Sequence, residues 1–145
     1  MLDIGKKPLH IVGISCITSS DAAHENMGKL WAKFSSSQLK EKLDNIISPA
    51  TFCVYSDYEN GTIDCYRATI GYAVKDLRSI PSDLSLITIP AGKYKTFPAK
   101  STEVADVVTV WETIWALNEQ QLPRNFITDF ELYDENAMTV YIGYS

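Results

Sequence analysis

Along the chain, runs rich in β-formers alternate with two stretches whose apolar residues recur at helical spacing. Leu9–Thr18 (LHIVGISCIT) mixes apolar and small residues and predicts a strand. Ser19-Ser20-Asp21 offers N-cap side chains for a helix, and Met27, Leu30, Trp31 and Phe34 follow at i, i+3, i+4 and i+7, which lines one helical face. Ser35-Ser36-Ser37 weakens that helix, and Leu39–Leu43 adds a short turn. Phe52–Tyr58 reads as a strand, Asn60-Gly61 as a hairpin turn in which Gly61 takes positive φ, and Thr62–Val74 as the returning strand. Residues 75–83 (KDLRSIPSD) form a polar linker, and Leu84–Ile89 is the next strand. Ser101 or Thr102 then caps a second helix carrying Val104, Val107, Val108, Trp111, Ile114 and Trp115, which ends before Pro123. Phe126–Tyr133 and Met138–Tyr144 are the last two strands, joined by a turn over Asp134–Ala137.

Each half therefore reads strand-helix-strand-strand, and the halves share short words. Tyr58-Glu59-Asn60 precedes Ile70-Gly71-Tyr72 in the first, and Tyr133-Asp134-Glu135-Asn136 precedes Ile142-Gly143-Tyr144 in the second. The expectation is an α+β fold: duplicated βαββ units, about 8–75 and 84–145, sharing one antiparallel sheet with two main helices and a central groove at their junction. A length of 145 residues predicts a single domain over 1–145.

Composition narrows the chemistry. The chain carries 13 Lys and Arg against 18 Asp and Glu, a net charge of -5, with no basic cluster beyond Lys6-Lys7. Direct nucleic-acid binding needs a basic face to displace counterions, and none is legible. No apolar run reaches the roughly 18 residues of a membrane helix, and the N-terminus lacks a secretory pattern, so a soluble cytoplasmic protein without a membrane partner is expected. Cys16, Cys53 and Cys65 are odd in number and lack CxxC spacing, and His10 and His24 are the only histidines, so neither a disulfide framework nor a metal site is predicted. Nucleophile-elbow, P-loop and dinucleotide motifs are absent, and no cofactor is called for.

One acid stands out. Glu131 lies mid-strand between Phe130 and Leu132, where β-propensity disfavours it. Period two places it with Asp129 and Tyr133 on one face, and Phe130 and Leu132 on the other. Aligning Tyr58 with Tyr133 sets Ser56 opposite Glu131. A half-solvated antiparallel sheet would make Glu131 an ordinary surface residue; a groove would make it a site.

The chain resembles the gyrase-inhibitor-like small-molecule-binding family, also found as the effector-binding domain of AraC-type and MerR-type bacterial transcription regulators. The likeness rests on Val54–Glu59 (VYSDYE), Tyr66–Val74 (YRATIGYAV), Ile89–Tyr94 (IPAGKY), Trp111–Trp115 (WETIW), Asp129–Asp134 (DFELYD) and Val140–Gly143 (VYIG), in the family's order. It implies the duplicated fold, a central groove for amphipathic and often cationic aromatic compounds, and Glu131 as the acid in that groove. Aromatic walls would come from Trp111, Trp115, Tyr94, Phe52 and Tyr144. The family's regulators add a DNA-binding domain, whereas here the module accounts for nearly all the sequence, so a stand-alone binder of the kind encoded on integron cassettes is expected.

Physically, a carboxylate in an aromatic groove loses hydration at a cost of several kcal/mol, and a bound organic cation supplies the missing partner. Two other readings stay open at this point. Glu131 could act as a general acid or base in hydrolysis of reactive electrophiles, assisted by a tyrosine such as Tyr94. The acidic surface could instead antagonise a basic protein partner.

Overall fold

The computed structural model describes residues 3–77, 80–135 and 137–145. Arg78 and Ser79 of the predicted linker and Asn136 of the second repeated word lie outside the described residues. Seven strands, β1 (Leu9–Thr18), β2 (Thr51–Ser56), β3 (Tyr66–Val74), β4 (Ser85–Ile89), β5 (Lys93–Pro98), β6 (Arg124–Tyr133) and β7 (Met138–Tyr144), form one antiparallel sheet in the order β4-β1-β3-β2-β6-β7-β5. The helices α1 (Ala23–Ser37), α2 (Leu39–Lys42) and α3 (Val104–Ala116) complete it. The fold is α+β, as the residue pattern predicts.

Several local expectations are corrected. Asn60 and Gly61 both take positive φ, at 55° and 67°, but inside a 3₁₀ turn over Glu59–Gly61 rather than a two-residue hairpin loop. Ser56 pairs with Arg67, so ten residues separate the paired ends. Neither helix has a side-chain N-cap bond at its capping residue. Ala22 and Glu103 occupy those positions, while Ser19 and Ser101 accept hydrogen bonds from the backbone of Ala22 and Glu103 from just outside. The predicted strand at 84–89 does not open the second unit. It pairs with β1 as an extra edge strand, and β5 takes the equivalent place beside β7. Lys93, Lys95 and Pro98 obscure β5 in the sequence because an exposed edge tolerates charge and proline that an inner strand does not.

The ladders also correct the repeat alignment. Cys53 faces Ile70 and Tyr55 faces Ala68, while Asp129 faces Ile142 and Glu131 faces Val140. Superposing the two Ile-Gly-Tyr words therefore places Tyr55 on Glu131 and Cys53 on Asp129. Ser56 is one residue out of step and points to the other face. The pseudo-two-fold axis passes through the Val54–Phe130 pair, and Cys53, Tyr55, Asp129 and Glu131 surround it on the helix side.

The sheet is strongly curled. Six strand spacings of about 4.8 Å would hold the edges β4 and β5 about 29 Å apart in a flat sheet. Only Pro90–Gly92 joins them, and four Cα steps reach at most about 14 Å. Gly13 and Gly71 face each other across β1 and β3, where a Cβ on either would meet a carbonyl oxygen at 2.0 Å, so glycine is required for that close approach. On the face without helices, Ile11, Phe52, Val54, Ala73, Ile89 and Phe130 form one buried cluster that both edges join. On the other face α1 packs on β1 and β3 through Leu30 and its neighbours, and α3 packs on β7 through Val110 and Ile114. Between the two helices lies the strip of β2 and β6 around the pseudo-axis.

Candidate functional site

Glu131 sits in that strip, 3% exposed, and is not a surface residue of a half-solvated sheet. Its Oε2 accepts hydrogen bonds from Trp111 Nε1 at 2.6 Å and from the Tyr55 hydroxyl at 3.1 Å. Its Oε1 accepts one from the Tyr133 hydroxyl at 2.7 Å. All three donors are neutral, and among the described residues no cation pairs with it. Burial raises its pKa from the ordinary value, and the donors Tyr133, Trp111 and Tyr55 oppose that rise without cancelling it. Burial, and then the Glu131 charge, raise the Tyr133 pKa as well, so its hydroxyl remains a donor. Cys53, directly across the ladder from Glu131, is pushed well up by burial first and Glu131 second, which keeps it a thiol rather than a reactive thiolate.

Aromatic rings frame the acid. Trp111 meets Tyr55 edge to face at 5.6 Å between centroids and lies against Trp115 at 6.1 Å. Trp31 of α1 meets Tyr133 edge to face at 5.2 Å, and Tyr66 meets Tyr55 at 5.8 Å. Of the predicted wall residues, the structure brings Trp111 into contact with Glu131 and sets Trp115, 58% exposed, against Trp111. Phe52 and Tyr94 are not brought there. Both lie on the opposite face against Phe130, with the Tyr94 hydroxyl donating to Pro90 O. Their positions follow from strand parity, which side-chain type cannot reveal. Tyr144 packs in the α3–β7 core rather than against the acid. Sequence reasoning passed over, as neighbours of Glu131, Tyr55 and Tyr133, which bond to it, and Trp31, which meets Tyr133. Period two already put Tyr133 on the Glu131 face, whereas Tyr55 needed the cross-strand register.

A second carboxylate shares this face. Asp129 is fully buried, but its Oδ2 meets Arg124 Nη2 at 2.8 Å and accepts the Tyr58 hydroxyl at 2.5 Å, and its Oδ1 accepts Gly143 N–H at 2.9 Å. Burial first, and the Asp129 charge second, raise the Tyr58 pKa well above its ordinary range. Arg124 reaches Asp129 because β6 is bulged between them, with Phe126 at φ 54° and the Arg124 guanidinium 4.4 Å from its ring centre. Gly143 admits the bulge, since a Cβ there would come within 2.9 Å of Thr128 O.

Among the described residues, no group of three or more His, Cys, Asp or Glu side chains is placed to hold a metal ion, and no helix is long and apolar enough to cross a membrane. The aromatic hydroxyls in contact with Glu131 belong to Tyr55 and Tyr133, on the face away from Tyr94. Glu131 is thus a buried acid among aromatic rings, and among the described residues its hydrogen-bond donors are neutral.

Four likenesses to known proteins stand beside this geometry. The family model described as integron-associated effector binding protein, Cass2, matches residues 5–143. A Bacillus subtilis (strain 168) protein, YobU, named as a candidate transcriptional regulator, is 31% identical over 112 residues, or 75% of this chain and 66% of that protein, so the chain spans just under two thirds of that relative. Among solved structures, an integron cassette protein from the mobile metagenome of Vibrio cholerae is similar with TM-score 0.77 and 20% identity, covering 96% of this chain and 92% of that one. SAV2435, solved bound to tetraphenylphosphonium, is similar with TM-score 0.80 and 14% identity, covering 96% and 90%. At these identities the two structures share the fold.

Proposed function

Because the chain belongs to the integron-associated effector binding family, and is a small-molecule binder by that membership, we propose that its ligands are amphipathic aromatic cations held in the α1–α3 groove with Glu131 as the acidic anchor. One observation carries this reading: Glu131 is buried, accepts three hydrogen bonds from neutral donors, and meets no cation among the described residues. Neutral donors leave a net charge in a poorly hydrated slot, and an organic cation neutralises it. The rings of Trp111, Trp115, Tyr55 and Trp31 add cation–π attraction of roughly 0.5 to 2 kcal/mol each where water is excluded. The overall charge of -5 favours approach of cations. That the fold relative SAV2435 is bound to tetraphenylphosphonium supports the same ligand class.

The near-complete burial of Glu131 also sets the route. A ligand reaches the carboxylate by displacing one of its donors. Trp111 stands in the way with its neighbour Trp115 exposed at the rim, so binding swings the indole aside and replaces an N–H dipole with a full charge. Titration with tetraphenylphosphonium, followed by tryptophan fluorescence, tests the reading. Saturable quenching is expected in the wild type, weakened in Glu131→Gln by about 1 to 3 kcal/mol, the scale of a charge pair about 6 Å or more apart at an effective dielectric constant of about 20. Neutral triphenylphosphine oxide should lose much less between the two proteins. Equal losses for both compounds would remove Glu131 as a charge anchor.

A further inference from the structure

On the sheet face away from Glu131, a cavity of about 670 Å³ opens between β4 and the bulged start of β6. That volume suits a small organic ligand. Ser85, Leu86, Ile87 and Thr88 all line it. Side chains alternate faces along a strand, so four consecutive lining residues mean that β4 presents its open edge to the cavity, as its position at the end of the sheet requires. Ser56, next to Tyr55, and Thr128, next to Asp129, line it from β2 and β6.

Three features mark it as more than a fold in the surface. Ser56 is 6% exposed, and its hydroxyl has no hydrogen-bond partner among the described residues. A buried hydroxyl without a partner destabilises a fold, and an alanine there would not. Asp57, in the cavity wall, holds φ 54°, a conformation that costs free energy for residues other than glycine. Arg67 uses Nε on Asp57 at 2.9 Å, and among the described residues its terminal nitrogens have no hydrogen-bond acceptor. We propose that this cavity is a second ligand site, taking an uncharged amphipathic molecule whose carbonyl accepts from Arg67 and, once a turn about χ1 brings the enclosed hydroxyl round to the cavity, from Ser56, while its apolar body lies along Ile87 and Ile127. Asp57, 65% exposed at its side chain beside Arg67, cancels the guanidinium charge and disfavours an anionic head group. Among the described residues the acid in the lining is Asp57, already paired with Arg67, so a cation has no anchor of the kind proposed for Glu131.

The experiment compares three six-carbon probes, hexanamide, hexanoate and hexylammonium, by amide chemical shifts of the full chain at millimolar concentration. Hexanamide is expected to move Ser56, Thr128 and Ser85–Thr88 while leaving the Trp111 indole resonance in place. Ser56→Ala should fold with an equal or higher melting temperature yet bind hexanamide about fivefold more weakly, the worth of one hydrogen bond. Ile127→Asp, at a site 58% exposed, should abolish the shifts without unfolding the protein. Stronger shifts at these residues with hexanoate or hexylammonium than with hexanamide would overturn the assigned ligand class. No shifts with any probe, or hexanamide binding unchanged in Ser56→Ala, would overturn the site. None of these outcomes depends on Glu131.

Discussion

Asp129 and Glu131 project from the same face of β6, two residues apart, and both are almost fully buried. Around Asp129 the protein assembles a complete set of partners: a guanidinium, a phenol and a backbone N–H. Around Glu131 it assembles only neutral donors, two phenols and an indole. The first arrangement neutralises a buried charge within the fold, and the second, among the described residues, supplies no cation; the proposed function gives that part to a ligand. Pseudo-symmetry sharpens the contrast, because the first half carries Cys53 and Tyr55 where the second carries Asp129 and Glu131. A tyrosine and a glutamate related by the axis bond to each other across it, so the repeat is broken at its own centre, where the proposed site lies.

The comparison can be broken most forcefully at Asp129. Asp129→Asn strands Arg124, only 13% exposed at its side chain, as an uncompensated buried cation, and should cost about 3 to 5 kcal/mol in chemical denaturation. Glu131→Gln strands no cation and should change stability by less than about 1 kcal/mol. Similar costs for the two variants would mean that both acids are structural.

Acid-base behaviour sharpens the same contrast. Burial raises the Glu131 pKa above its value in the unfolded chain, so over a window of pH the folded state holds a proton that the unfolded state has already lost. Stability therefore falls as pH rises through that window, from the unfolded value to the folded one, and levels off above it. Urea midpoints measured against pH should show this fall in the wild type and its loss in Glu131→Gln. Trp111→Phe removes one donor to the carboxylate and should move the end of the window upward, at a cost of about 1 kcal/mol to the ionised form. Trp115→Ala, at the exposed rim, should alter stability by no more than about 0.5 kcal/mol while reducing tetraphenylphosphonium quenching. A large stability loss there would make Trp115 a core residue rather than a wall.

The sequence was most informative where a residue's meaning depends on its immediate neighbours. Strand β1 is legible over its whole length, α1 survives its serines because Ser36 and Ser37 bond back to Lys33 O and Phe34 O, and Glu131 is conspicuous as an acid among apolar strand residues. Partners set by distant pairing were hidden. Arg124 and Asp129 are an odd number of residues apart, which in a regular strand puts them on opposite faces, and only the bulge at Phe126 brings them together. Tyr55 reaches Glu131 through the register of β2 on β6, while Phe52, three residues earlier in the same strand, is turned away by parity. Tyr94 was misplaced for a related reason, because the curl that carries β5 round to the inner cluster is a property of the whole sheet.

The claim that Glu131 awaits an external cation predicts an exchange of charge: an organic cation binds to the ionised carboxylate and expels the proton that burial retains. Calorimetric titration of tetraphenylphosphonium, in two buffers of different ionisation enthalpy and at several pH values upward from the ordinary carboxylate range, measures that exchange directly. The account predicts fractional proton release and tightening affinity as pH rises through the raised Glu131 pKa in the wild type, with neither in Glu131→Gln. Binding of equal strength in both proteins, without proton release at any pH, would contradict it.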